Sequence, residues 1–211
     1  MRTIKKGPEP ASLKQYRNEA GANYEDYNGK EDLRESLVAE QGGICCYCMT
    51  RISPKWSAMR IEHWRCQKDN PDKDLEYGNL LGACTGNEKL ASQFHHCDKS
   101  KGHKNLSRNP AVPEHHIEAL ISYSGDGTIC SSDEVFNREL NEVLNLNEAS
   151  LKNRRMAVLD GFISALPKVA SLKRPFLERK VRDLNGEVDG GRLQPFCGVV
   201  LYWLRKRLAR L

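Results

Sequence analysis

Four cysteines and one adjacent carboxylate-imidazole pair are the residues of this sequence whose types and spacing can do chemistry. Cys45 and Cys48 form a Cys-x-x-Cys turn, the spacing that lets two thiolates from one tight turn reach the same tetrahedral zinc ion. Cys84 and Cys97 are the natural second pair; they stand thirteen positions apart and need a loop to bring them together. Between the pairs lies Ile61-Glu62-His63-Trp64. A carboxylate suits a hard cation such as Mg²⁺, and a neutral imidazole can take a proton from water near pH 7, so the two together can make a metal-assisted hydrolase. The bland alternatives are buried cysteines acting as small hydrophobes and a solvated Glu beside a satisfied His. Cys46 competes with Cys45 for a ligand position, whereas Cys66, Cys130 and Cys197 have no ligand-spaced partner and fit core packing.

Composition sets the context. A chain of 211 residues carries one sizeable core but not two full domains. The net charge of +5 suits a polyanionic partner and equally an ordinary soluble protein. No stretch approaches the ~20 apolar residues that span a bilayer, and MRTIKKGPEP lacks the apolar run of a signal peptide. The expectation is a cytoplasmic protein without a membrane partner. In a reducing compartment eight cysteines point to metal ligation before disulfides, and five of them fall between Cys45 and Cys84.

The elements that must position these residues follow from periodicity and breakers. Residues 1–30 read as irregular, with Pro8, Pro10, Gly21 and Gly29 against long elements. A helix is expected from Glu31 to Gln41, with Leu33, Leu37 and Val38 at helical spacing and Gly42-Gly43 as its stop. ICCYC, AMRIEHW and NLLGAC read as short β-like or apolar runs, separated by polar loops too hydrophilic to fold without a staple. IEALISYSGDGTICSS reads as a hairpin around Ser124-Gly125-Asp126-Gly127. Helices are expected over Glu134 to Leu144, Ser150 to Leu166, Pro175 to Leu184 and Pro195 to Leu211, separated by Pro167, Gly186, Gly190 and Gly191. The last places Leu201, Leu204, Leu208 and Leu211 on one face and Arg205, Lys206, Arg207 and Arg210 around the rest, a pattern that can cover a core, dock on a partner or touch phosphates.

The order Cys45-x-x-Cys48, Glu62-His63, Tyr77-Gly78-Asn79-Leu80-Leu81, Cys84 and His96-Cys97-Asp98-Lys99-Ser100-Lys101-Gly102 resembles the HNH, or ββα-metal, endonucleases. The segments MRTIKK, LVAEQGGICCYC, RIEHWRCQ, YGNLLGAC, HHCDKSKG and LNLN narrow the resemblance to the PtuB-type HNH nucleases of Septu and retron-linked anti-phage systems. That resemblance implies an α+β fold in which a zinc-stapled ββα-metal core, residues 31–110, sits in a mainly helical domain. Residues 111–211 would add a hairpin and helices packed on it. It implies zinc on Cys45, Cys48, Cys84 and Cys97, with His63 as general base and Glu62 as a ligand of a catalytic Mg²⁺ or Mn²⁺. Asn79 would orient the His63 ring, and Asp98 would complete the cation site. Lys99, Lys101 and Lys104 would then meet phosphates, unless they form a merely solvated charge run. The implied partners are nucleic acid, DNA ahead of RNA, and a PtuA-type ABC ATPase; in retron-linked versions a reverse transcriptase and its multicopy single-stranded DNA join them.

The sequence departs from the family pattern in having Glu62 where Asp is usual, Asp98 where His or Asn is usual, and an expanded loop between Cys84 and Cys97. His95, His96 or His103 could hold the Asp98 position instead. Adjacent residues of a regular strand point to opposite faces, so Glu62 and His63 can share a cation only if the strand ends, bends or bulges there.

Overall fold

Leu33 and Leu37, one helical turn apart, are both fully buried and anchor a helix over Lys30–Glu40 (α2), which lies within a residue of the expected span. Gly42 and Gly43, at φ of 61° and 71°, end it in a conformation that costs other residues a steric clash. Just before them, the buried Gln41 amide donates to the Ile44 and Gly82 carbonyls and accepts from the Gly82 N–H. The helix end is thereby pinned to the strand segment that leads directly into Cys84.

The computed structural model describes residues 1–167, 173–186 and 192–211; the expected breakers Gly190 and Gly191 lie outside them. Helices and two small sheets make an α+β architecture. Arg60–His63 (β1) pairs antiparallel with Leu80–Ala83 (β2), with Glu62 opposite Leu81 and His63 opposite Leu80. All four β2 residues are buried because the ribbon has a core on both faces. Leu80 joins a small cluster with Leu13, Leu33, Leu37, Leu75 and Tyr77, while Leu81 and Ala83 join the main core. A single helical turn, Asp98–Lys101 (α3), follows Cys97 and is stopped by Gly102 at φ 54°.

The other half is the hairpin Ile121–Tyr123 (β3) with Ile129–Ser131 (β4), and helices Glu134–Arg138 (α5), Ala149–Ser164 (α6), Arg174–Leu184 (α7) and Cys197–Leu208 (α8). Val199, Val200, Leu201 and Leu204 of α8 are buried, so core covering is what this helix does, while Leu211 is 63 % exposed. No helix among the described residues is long and apolar enough to cross a membrane.

Four expectations need correction. ICCYC is a turn joined to Arg51 by one isolated bridge at Ile44, because two cysteines serving one point must fold back rather than extend. Ile117–Leu120 (α4) is helical instead of a hairpin arm; Ile117 and Ile121 are both buried, four apart, which is a helical spacing. The helix expected to run to Leu144 changes to a π-helical turn over Glu139–Val143. The first thirty residues are not wholly irregular: Ala11–Tyr16 (α1) is helical and buries Leu13, and Met1 and Ile4 lie in the main core. That core includes residues from Met1 to Leu204, so all three expected segments share it.

Candidate metal centre and adjoining cleft

The Cys45–Cys48 turn is built by backbone bonds from Cys45 N–H to the Thr50 carbonyl and from Met49 N–H to the Cys45 carbonyl, with Met49 at φ 65°. Cys84 enters from the end of β2, and Cys97, at φ 56°, precedes α3. The loop between them is closed by Gly86. His96 N–H donates to the Gly86 carbonyl, and a Cβ on Gly86 would lie 2.2 Å from the His96 oxygen, so only glycine fits.

The four sulfurs lie within 4.8 Å of one another, and all four residues are buried. Cys45 Sγ is 3.9 Å from Cys97 Sγ and Cys48 Sγ is 3.6 Å from Cys84 Sγ. Zinc–sulfur bonds of about 2.3 Å place ligand sulfurs about 3.8 Å apart on a tetrahedron. The cluster therefore has the dimensions to hold a metal such as zinc. Burial works to raise the Cys45 thiol, but hydrogen bonds from Cys46, Cys48, Cys84 and Cys97 outweigh it and hold that thiol well below its usual range. Cys46 is not one of the four; its N–H extends the ribbon by donating to the Gly82 carbonyl. Cys66 and Cys197 are buried as expected, the Cys66 thiol donating to Asp69.

Beside the cluster is a cleft of about 260 Å³ whose lining includes Glu62, His63, Asp98, Lys101 and His103. β1 keeps regular register with no bulge, and its end at His63 is the irregularity that lets the two neighbours serve one cleft. Glu62 is 1 % exposed; its Oε1 accepts from the Tyr47 hydroxyl at 2.8 Å and from Lys101 Nζ at 2.8 Å. Burial pushes the Glu62 carboxyl well above the usual carboxylate range, and the neighbouring Asp98 carboxylate adds to the rise against the pull of Lys101. Asp98 takes its place from Cys97: it is the first residue of α3, directly after a sulfur of the cluster.

His63 Nε2 lies 3.0 Å from the Asp74 carbonyl oxygen, and its ring meets Tyr24 edge-on at 4.5 Å between centroids. A carbonyl can only accept, so in the neutral ring Nε2 carries the hydrogen and Nδ1 keeps the lone pair. Burial pulls the His63 pKa below the usual imidazole range, and the Asp74 contact opposes that only in part.

Two expected roles change. Asn79 does not touch the His63 ring. Its side chain accepts from Arg65 N–H at 2.7 Å and donates to the Arg65 and Lys73 carbonyls, fixing the backbone that leaves β1, while Asp74 orients the ring. Lys101 is not a surface phosphate ligand. It is 1 % exposed, bonded to Glu62 and to the His63 carbonyl at 3.0 Å, because it sits one turn beyond Asp98 on the inward face of α3. Lys99 and Lys104 are exposed. Among the alternatives to Asp98, His96 Nδ1 sits 3.2 Å from Cys97 Sγ, where it can donate to a thiolate, and His95 reaches the Leu90 carbonyl. Of these three histidines His103 alone shares the cleft.

Tyr47, Asp74 and Tyr24 were not singled out by sequence. Tyr47 had a signal, since it lies inside the cysteine turn and cannot avoid the site. Asp74 acts through its backbone oxygen and Tyr24 comes from a distant loop, so neither leaves a local signature. Set against protein-family models and against the curated proteins, the chain matches none.

Proposed function

We propose that this chain is a metal-dependent HNH endonuclease that hydrolyses phosphodiester bonds in nucleic acid, DNA ahead of RNA. The observation that carries the reading is the meeting, in one cleft beside a four-cysteine cluster, of a pair of carboxyl groups and an imidazole whose Nδ1 makes no hydrogen bond among the described residues. In chain order β1, β2 and α3 supply His63, the paired strand and Asp98, which is the order of a ββα-metal core.

His63 Nδ1 would take the proton from an attacking water. Burial favours this by keeping the ring neutral at pH 7, and the Asp74 carbonyl holds the required tautomer. Glu62 and Asp98 would hold a divalent cation such as Mg²⁺ or Mn²⁺: their carboxyl oxygens meet in one cleft, and a bound cation would offset the burial and mutual crowding that raise the Glu62 carboxyl. When bound, such an ion supplies Lewis-acid stabilisation of the phosphoryl and leaving oxygens. Lys99 and Lys104, exposed on and just beyond α3, would meet neighbouring phosphates, Lys104 giving up a long hydrogen bond to the Glu142 carbonyl. Zinc on the four cysteines would tie the Cys45 turn, the end of β2 and the start of α3 together, and so fix Asp98 opposite Glu62.

Resemblance to the PtuB-type segments supports a role as an anti-phage effector acting with a PtuA-type ABC ATPase, and in a retron-linked system with a reverse transcriptase and its multicopy DNA. The test is strand scission of labelled DNA and RNA with and without Mg²⁺, alone and with the ATPase and an ATP analogue. Mg²⁺-dependent cleavage is expected; no cleavage in any combination overturns the proposal.

One observation favours a second reading, a non-catalytic zinc-stapled nucleic-acid-binding or ATPase-adaptor module. The Lys101 ammonium already neutralises Glu62. On that reading Glu62 and His63 substitutions leave biological activity untouched, while loss of Cys45 or Cys48 abolishes it.

A further inference from the structure

Trp56 is 69 % exposed, the largest exposure among the big apolar side chains described, and it does not stand alone. It lines a second groove of about 260 Å³ with Tyr24, Arg34, Met59, Arg60 and Ile61. This groove borders the candidate catalytic cleft: Ile61 lines both, and Tyr24 of the groove packs edge-on against His63.

The groove combines an aromatic face with positive charge. The Arg60 guanidinium lies 5.7 Å from the Trp56 ring centroid and donates to the Trp56 carbonyl, while its other end pairs with Glu88. Arg60 thus braces the indole, and its charge is partly spent. Arg34 makes no ion pair among the described residues, and Lys30 Nζ sits 5.0 Å over the Tyr24 ring. A solvent-facing indole in an apolar-floored groove, with an unpaired guanidinium and an ammonium beside it, matches a nucleotide: a flat base to stack and a phosphate to neutralise. Bases of an intact duplex are already stacked on each other and offer no open face to an indole.

The geometry points to the Trp56–Arg34 groove as a binding site for an unpaired nucleotide of single-stranded nucleic acid, the base stacking on Trp56 and its phosphate meeting Arg34. Only the further statement that the strand then passes to His63 rests on the nuclease reading. The site selects unpaired over duplex strands through stacking and tolerates base sequence, because every base has a π-face.

The test is equilibrium binding of fluorescein-labelled oligothymidylate, and of the same strand annealed to its complement, to the full zinc-loaded chain without added divalent cation. Oligothymidylate should quench tryptophan emission and bind more tightly than the duplex. Trp56→Ala should lose the quenching and weaken binding about tenfold or more, and Arg34→Ala should flatten the salt dependence of binding by about one phosphate contact. Trp56 is exposed, so the variant keeps its core, and unchanged zinc content would confirm this. Equal binding by wild type and Trp56→Ala, or preference for the duplex, overturns the proposal. Cleavage assayed separately keeps the two readings apart: a Trp56→Ala chain that cleaves and binds like wild type sinks the groove alone, whereas a wild type that binds through Trp56 yet never cleaves sinks the nuclease alone.

Discussion

Among the described residues each half of this molecule buries one long cation at about 1 % exposure, and the two are satisfied in opposite ways. In the helical half, Arg155 of α6 gives its hydrogen bonds to the Gly127 carbonyl at 2.5 Å, the Leu146 carbonyl at 2.6 Å and the Asn147 amide oxygen at 3.3 Å. Its charge is spread over neutral dipoles that stitch the hairpin turn to the helices, and Gly127 must be glycine there because a Cβ would lie 2.1 Å from the Lys152 oxygen. In the cysteine half, Lys101 faces the Glu62 carboxyl group in the lining of an open cleft, with the Asp98 carboxyl group beside it. The first arrangement is complete in itself. The second crowds two acidic side chains around one ammonium in the lining of a cleft, the arrangement expected of a site rather than of a staple.

The largest effect expected is on the cysteine cluster. Removing zinc by chelation, or replacing Cys48 by Ala, should cost on the order of 10 kcal/mol, because the metal would hold the Cys45 turn, the end of β2 and the start of α3 to one point; retention of an unchanged cooperative thermal transition with no bound metal would refute the assignment. Next come the two cations. Lys101→Met leaves Glu62 buried without its partner and should cost about 3–5 kcal/mol in urea denaturation. Added Mg²⁺ should return part of that loss, raising the Tm of the variant more than that of wild type. Arg155→Met strands two buried carbonyls and should cost about 3 kcal/mol, with no recovery by Mg²⁺ and unchanged cleavage per folded molecule. If Mg²⁺ shifts both variants equally, the contrast between the two halves is wrong.

The smallest effect is a pH dependence. A base acts only when neutral, so cleavage should rise with pH and level off. Because burial lowers the His63 pKa, the midpoint should fall below the ordinary imidazole value of about 6.5. The same sign applies to stability: the folded chain holds His63 less readily protonated than the unfolded chain, so His63 stabilises above the ordinary value and loses that contribution as pH falls through it. A cleavage midpoint above that value would remove His63 from the role of base.

What could be read in the sequence is what local spacing encodes. Cys45-x-x-Cys48 must turn, Gly42-Gly43 must end a helix, and Leu33 and Leu37 must share a face; each of these constraints spans only a few residues. The pairing of Cys84 with Cys97 was legible as residue type, while its closure through Gly86 was not, because the steric partner lies ten residues away. Lys101 escaped for a different reason. DKSKG looks like a solvated charge run, and only the orientation of one helical turn decides that Lys101 points in while Lys99 points out. Nothing local decides the arm at Ile117, because four residues such as Ile117-Glu118-Ala119-Leu120 fit a strand or a helical turn equally well. Trp56 and Tyr24 meet in one groove from segments 32 positions apart, a relation no single-sequence periodicity carries.

The most direct test of the central claim is the single-turnover cleavage rate of His63→Ala against wild type, at saturating Mg²⁺, with zinc content and thermal transition matched. Loss of about 100-fold or more, with substrate binding retained, is the predicted result; equal rates for the two proteins would contradict it.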